Sequence, residues 1–374
     1  MTRRGRGEKK LLKHFLVPEK DAIRVRHDIL RTTVEEIFRK VGLSDEDAVL
    51  GADVLLYADL RGVDTHGVSN MLRAYVRGYN EGRTNPRPNW KIIHETDSTA
   101  SVDGDGGLGN IIAPKVMDYA IEKAQKSGSC GIAIRNSGHA GAVGYHALKA
   151  AKAGMIGMAM TAGGNAMIPT FGAEPKLGTN PIAWAAPANK EAPFVFDAAM
   201  TAIAGNKIGL ARRLGKPMEA GWLANPDGTP DMVGGQSAEF EVGSVRAQLP
   251  MAATRVLGSH KGYSLGVVVD IMCGPLSMAS GFGSAESTRR AHFVQAWDIA
   301  GFCDVDEFKA DMDGMLKGLR NTKPMAGEDR VFYAGLPEAE TEIERKRDGI
   351  PLHKEVIEWF RDICAELSID FNLA

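Results

Sequence analysis

Cysteine is scarce in this chain: Cys130, Cys273, Cys303 and Cys364 stand far apart in 374 residues, and no CxxC pair occurs. That spacing argues against a disulfide framework or a zinc knuckle and points to free thiols in a reducing compartment. An excess of one charge is equally lacking. Lys and Arg total 45 against 47 Asp and Glu, a formal net charge of -2, so no broad field draws nucleic acid or an anionic membrane. No apolar run is long and uncharged enough to span a bilayer. The start, MTRRGRGEKKLLKHFLVPEK, has positive charge without the apolar core of a signal peptide. The expectation is a cytoplasmic protein with no nucleic-acid or membrane partner, whose basic arm, residues 1–22, packs on a neighbouring subunit. HExxH, GxSxG, paired catalytic carboxylates and internal repeats are also missing, which disfavours a hydrolase and gives no metal site.

What is present is globular material too long for one compact core. Leu30, Val34, Ile37, Phe38 and Val41 fall at helical spacing before Gly42. Ser44 with Asp47 three residues on makes a capping pattern for a second helix carrying Ala48, Ala52, Leu55 and Leu56. In RGVDTHGVSNMLRAYVRG, a helix after Gly67 puts His66 at its start, with Asn70 and Arg73 on the face below. A histidine that only caps this helix is the plain alternative.

The stretch that organises the rest is GIAIRNSGHAGAVGYHALKA, Gly131 to Ala150. It reads as a short apolar strand, a turn of small residues and a helix, with His139 in the turn. Small neighbours leave room for a ligand against the ring, which suits a general acid or base; a turn histidine bonding only backbone is the other reading. Upstream, GDGGLG (Gly104 to Gly109) fits GxGxxG between a strand and a helix. The acidic residue that a dinucleotide fold needs after the next strand is absent, because that strand ends Ile134-Arg135-Asn136. Past Met155–Thr161, a strand, a glycine- and proline-punctuated crossing with Asn165, Thr179 and Asn180 reads as the floor of a ligand site. Phe194–Phe196, another strand, delivers Asp197. Lys261 precedes an apolar segment, Leu265 to Met278, read as a buried helix, and VFYAGLPEAE reads as a loop.

RGVDTHGV, NSGHAGAVGYH, FGAEPKLGTNPIAWAAP, FDAAMT, GWLANPDGTP, KGYSL and YAGLPE, in that order, resemble the malate/L-lactate dehydrogenase family of the second type. That family also includes ureidoglycolate and sulfolactate dehydrogenases and cyclic ketimine reductases. The resemblance runs from about Ile29 to near the C-terminus. It implies an α/β (α+β) protein with a non-Rossmann NAD(P)-binding domain built on a mixed, largely antiparallel sheet. Expected divisions are a helical part, 23–95, a cofactor- and substrate-binding part, 96–335, and C-terminal helices, 336–374, packing back on the first. It further implies a homodimer with sites between subunits.

Carried over by the resemblance, His139 and His66 are the active-site histidines, with Thr65, Asn70 and Arg73 on the substrate side. Gly163, Asp197, Ala198, Ala199, Lys261, Gly335, Leu336 and Pro337 fall where such enzymes hold NAD or NADP. Two positions depart. Some relatives have serine where Gly163 stands, and many have an arginine where Asn70 stands, thought to clamp the substrate carboxylate. Asparagine cannot make that bidentate charged pair, so either Arg73 takes over or the substrate differs. The implied reaction is reversible hydride transfer between nicotinamide and a small 2-hydroxy or 2-oxo acid, with His139 moving the proton and His66 bonding the same oxygen, or the reverse. Reduction of a cyclic imino acid is the alternative within the class, and a non-catalytic binding protein is the one outside it.

Overall fold

The computed structural model describes residues 15–235, 247–279 and 290–373. Helix α1 (His27–Lys40) buries Leu30, Val34, Ile37 and Phe38 on one face, as their spacing requires. Helix α2 (Asp45–Leu60) starts where the Ser44 hydroxyl accepts the Asp47 N–H at 3.1 Å. Helix α3 (Val68–Asn80) follows Gly67. The chain ends return to this corner. Strand β1 (Ala22–Val25) pairs antiparallel with β9 (Ile350–His353), and α10 (Lys354–Leu367) lays Val356, Ile357, Phe360 and Ile363 against α1 and α2. The first and last segments therefore share one core, in which each fully buried Leu or Phe contributes about 1.5–3 kcal/mol.

Between them lies a seven-stranded sheet in the order β2 (Lys91–Glu95), β3 (Thr99–Asp103), β4 (Ser129–Ser137), β8 (Arg290–Asp298), β5 (Met155–Ala162), β6 (Ile182–Ala186), β7 (Phe194–Ala198). Every pairing is antiparallel except β3 with β4, which are joined through α4 (Gly109–Ser127). Helix α5 (Gly144–Lys152) follows β4 and packs on the sheet through Ala147, Leu148 and Ala151. The remaining helices are α6 (Asn206–Arg213), α7 (Ser259–Cys273), α8 (Val305–Arg320) and α9 (Leu336–Asp348).

Three expectations are corrected. The crossing before Phe194 contains a regular strand, β6, hidden in the sequence by Pro181 and Pro187 at its two ends. The apolar segment Leu265 to Met278 is not a buried helix: α7 stops at Cys273, and Leu265, Val268, Ile271, Leu276 and Met278 are exposed. In VFYAGLPEAE the loop ends at Gly335, the N-cap of α9. The arm through residue 14 lies outside the described residues. Among the described residues no helix is long and apolar enough to cross a membrane.

Candidate active site

His139 is mounted on a turn that glycines allow. Gly141 has φ +66° and its Cα lies so close to Val54 that a Cβ would meet Cγ1 at 2.8 Å. The GDGGLG loop braces the same turn from below. The Gly106 N–H donates to Asn136 O, the Gly138 N–H to Gly107 O and the Asn110 N–H to His139 O. A Cβ on Gly109 would strike Gly138 O at 2.5 Å. These glycines thus serve close backbone approach, and the loop amides that bond here face protein carbonyls.

His66 is fixed by a different set of contacts. It lies in the turn between α2 and α3, where a Cβ on Gly67 would sit 1.9 Å from Asp59 Oδ1. Asp59 Oδ2 accepts the Val68 N–H at 2.9 Å, and Arg345 of α9 holds Asp64 with Nη1 at 2.5 Å and Nη2 at 3.1 Å. Arg345 also donates to Asp59 O. The Asn206 amide of α6 donates to Thr65 O at 2.9 Å. Arg61, at the end of α2, pairs with Glu342 and donates to Gly335 O, so α9 clamps the whole turn.

These scaffolds bring the two imidazoles face to face within one chain, with ring centroids 5.8 Å apart and planes 17° from parallel. Both rings are half-buried. Each is tied through Nδ1. Thr65 Oγ1 lies 2.8 Å from His66 Nδ1. His139 Nδ1 receives the Gly141 N–H at 3.1 Å and has the Tyr75 hydroxyl at 2.7 Å. A nitrogen accepting an amide proton carries none itself, so neutral His139 keeps its hydrogen on Nε2 and presents a donor there. The Thr65 hydroxyl can donate or accept, so His66 can take either tautomer. Among the described residues neither Nε2 has a hydrogen-bond partner.

Electrostatics keep both rings neutral. Burial, then the Arg290 and Lys207 charges, push His66 down to about 4. Burial, then Arg290 and the neighbouring imidazole, push His139 well below the usual histidine value. Tyr75, Arg290 and Lys207 have no signature in the sequence. Arg290 opens β8 opposite Ser137 of β4, two residues before His139, a proximity that only the β4–β8 register creates.

The other predicted residues divide. Thr65 touches His66. Asn70 is engaged away from it: its amide donates to Asp64 O at 3.2 Å and its Oδ1 accepts from Arg213 Nη1 at 3.0 Å. Arg73 lies over the Trp359 ring, 3.9 Å from a Glu355 oxygen, on the side facing α10. Asp197, at the end of β7, is exposed, and its Oδ2 accepts the Gly144 N–H at the start of α5 at 2.7 Å, five residues beyond His139. Ala198 and Ala199 follow it. Gly335 meets the same strand from outside; its φ is +97° and the neighbouring Ala334 O accepts the Val195 N–H. Leu336 and Pro337 open α9 beside it. Met200 links these to the rest. It bonds Thr179 O and receives the Met251 N–H, while Met251 packs on Gly262 next to Lys261. Gly163, after β5, approaches the same crossing at Gly178. A surface groove of about 480 Å³ lined by Phe171, Met232 and Ser259 borders the start of α7 and neither histidine. Among the described residues no cluster of His, Cys, Asp or Glu could hold a metal ion.

An α/β chain with this sheet and this histidine pair belongs to the malate/L-lactate dehydrogenase family, whose model matches residues 25–361. The chain is 37% identical to the malate dehydrogenase of Pyrococcus abyssi over 94% of its length and 97% of that protein. It is 33% identical to the L-sulfolactate dehydrogenase of Methanocaldococcus jannaschii, over 90% and 95% of the two chains. The solved structure of the malate dehydrogenase from Pyrococcus horikoshii superposes with a TM-score of 0.86 at 34% identity, covering 96% of this chain and 99% of that one.

Proposed function

We propose that the chain is an NAD(P)-dependent dehydrogenase of small 2-hydroxy acids, working reversibly on the matching 2-oxo acids. The observation that carries this is the stacked pair His66 and His139, each anchored at Nδ1 and open at Nε2. When bound, the nicotinamide supplies or accepts the hydride. What remains for the protein is to hold the carbon in place and manage one proton at the adjacent oxygen. His139 Nε2–H is the donor aimed at that oxygen, and His66 bonds it from the facing side. His66, free to keep its hydrogen on Nδ1 towards Thr65, accepts the hydroxyl proton at Nε2 in oxidation and returns it in reduction, a contribution of about 10²–10⁴-fold, while His139 Nε2–H stays a donor to the same oxygen.

The residues fit a dinucleotide. The second Asp197 oxygen is left for a ribose hydroxyl while its partner oxygen is locked on the α5 terminus. The left-handed Gly335 opens the start of α9, where a Cβ would press on Val195 N at 2.8 Å. A helix N-terminus with Leu336 and Pro337, together with Lys261, suits phosphates. Ala198, Ala199 and Gly163 leave room for backbone approach. The antiparallel sheet and the glycine loop spent on bracing His139 support a non-Rossmann mode of holding NAD or NADP.

The division into a helical part, 23–95 with 336–374, and a site-bearing part, 96–335, is supported by two main cores, although Leu108 and Ile111 join the first core, Tyr57 packs on the second and β2 joins the sheet. The α7 stripe of Leu265, Val268 and Ile271, exposed by 40%, 43% and 53%, supports a homodimer whose partner covers it. Four free cysteines support a cytoplasmic location. The test is oxidation of NADH and of NADPH by the purified chain against a panel of 2-oxo acids, sulfopyruvate and cyclic imines. Turnover of 2-oxo acids supports the reading. Turnover of cyclic imines alone would replace it with imine reduction, and no oxidation of either cofactor would reject it.

A further inference from the structure

The His66 turn rests on a carboxyl group that no cation touches. Gly67, the N-cap of α3, has no side chain to bond the first amides of that helix. The acceptor comes from α2 instead, where Asp59 Oδ2 takes the Val68 N–H at 2.9 Å. Only glycine at 67 lets the carboxyl in, because a Cβ there would lie on top of it. Asp59 is 0% exposed, and among the described residues its Oδ1 has no hydrogen-bond partner. The charged groups that act on it are Asp64 in the turn and Arg345 of α9. Arg61, two residues on along α2, is paired with Glu342. Arg345 spends Nη1 and Nη2 on the Asp64 carboxylate, and what it gives Asp59 goes to the backbone carbonyl. Among the described residues the Asp59 carboxyl therefore receives one amide proton and no bond from a cation.

We propose that Asp59 is a positioning residue that works as a neutral carboxylic acid, capping α3 through its carbonyl oxygen and holding the His66 turn by shape and one hydrogen bond, not by charge. An ionised Asp59 would gain from the α3 dipole, a small effect confined to the first turn. It would lose the hydration of a full charge, with one amide in exchange and a second carboxylate beside it. The loss is the larger. Burial first, then Asp64, raises this carboxyl to about 7 against the pull of the Val68 amide and Arg345. The unfolded chain gives up the same proton at about 3.9, so the stability due to this group falls as pH rises from about 4 to about 7 and is level above that. The placing of His66 rests on the dehydrogenase reading. The protonation of Asp59 does not depend on it.

The test uses Asp59→Asn, which keeps the shape and an acceptor for the Val68 N–H but cannot ionise, beside Asp59→Ala, which keeps neither. Infrared spectra at pH 5.5 should show a carboxylic-acid C=O band in the wild type that Asp59→Asn lacks. In urea unfolding at pH 5 and pH 8, the unfolding constant of the wild type should rise about 100-fold relative to that of Asp59→Asn, the histidine contributions being common to both proteins. With whichever of NADH and NADPH the chain oxidises, kcat should stay near the wild-type value in Asp59→Asn and fall by about 10–100-fold in Asp59→Ala. No band lost on substitution, the same pH response in wild type and Asp59→Asn, or an Asp59→Asn chain that does not fold overturns the proposal. Wild-type kcat in Asp59→Ala overturns its positioning role. If Asp59→Ala does not fold, the band, the pH response and the kcat of Asp59→Asn decide. No turnover in any of the three proteins rejects the dehydrogenase reading, while the band and the pH response still judge Asp59.

Discussion

Acid should destabilise this protein through its desolvated imidazoles, two of which do no chemistry and can be replaced without touching the site. His146 and His292 are each 1% exposed and lie behind the His139 turn. His146 Nε2 bonds Ala140 O at 2.7 Å and His292 Nδ1 bonds Thr161 Oγ1 at 2.8 Å, while the other ring nitrogen of each has no partner. Burial pushes His146 down to about 4 and His292 to about 3. The unfolded chain titrates these groups near 6.5, so below that pH it binds protons that the folded chain refuses. Stability then falls as pH falls from about 6.5 towards 4. At pH 5 the gap is about 1.5 pH units at about 1.36 kcal/mol per unit, or about 2 kcal/mol per ring and about 4 kcal/mol for both, out of a typical total of about 5–15 kcal/mol. Asp59 works the other way. Burial raises its carboxyl to about 7, above the unfolded value, so acid relieves a cost there. Comparison with a double variant removes that term. His146→Gln keeps a donor for Ala140 O and His292→Asn keeps an atom near Thr161. Urea unfolding at pH 7.5 and 5.0 should show the wild type losing about 4 kcal/mol more than the double variant, and each single variant about half of that difference. Equal losses in wild type and variants would refute the reasoning.

Other outcomes follow from the same geometry. With the His66 ring at about 4 and the His139 ring well below the usual value in the free enzyme, kcat/KM for oxidising a 2-hydroxy acid should stay level between pH 7.5 and 5. A break near 6.5 would mean that the rings are not desolvated. Gly67→Ala puts a Cβ into the Asp59 carboxyl and should cost about 3 kcal/mol in urea unfolding; wild-type stability would show that the turn yields. Arg345→Met leaves Asp64 half-buried without its partner, with an expected loss of about 3–5 kcal/mol and a weakened hold on the His66 turn. A change under about 1 kcal/mol would remove Arg345 from that role.

The sequence made the local parts of this site legible and concealed their meeting. The Ser44 cap, the periodic face of α1 and the strand–turn–helix around His139 are short-range signals, and they appear where the spacing puts them. Strand β6 was concealed because its small apolar residues are flanked by prolines that read as loop. The apolar run in α7 looked buried because a helix facing an open surface and one facing a core carry the same composition. A cue for α9 was present, since Pro337 and Glu338 in a first turn are helix-start residues, but Gly335 and Pro337 read together as a loop. No local pattern announces that Arg290 will stand beside His139 or that α6 will bring Lys207 to His66, because both depend on strand register and helix docking. The expectation for Arg73 rested on helical spacing alone, and the α10 face with Trp359 and Glu355 draws its guanidinium elsewhere.

The central claim is that the ring at position 66 takes and returns the proton of the reaction, with His139 donating to the same oxygen, while the dinucleotide is left to other residues. Steady-state turnover of His66→Gln, measured beside a fluorescence titration of NADH or NADPH on the same protein, tests it directly. The account predicts kcat lower by about 10²–10⁴-fold with cofactor affinity close to that of the wild type. Turnover near the wild-type rate would contradict it.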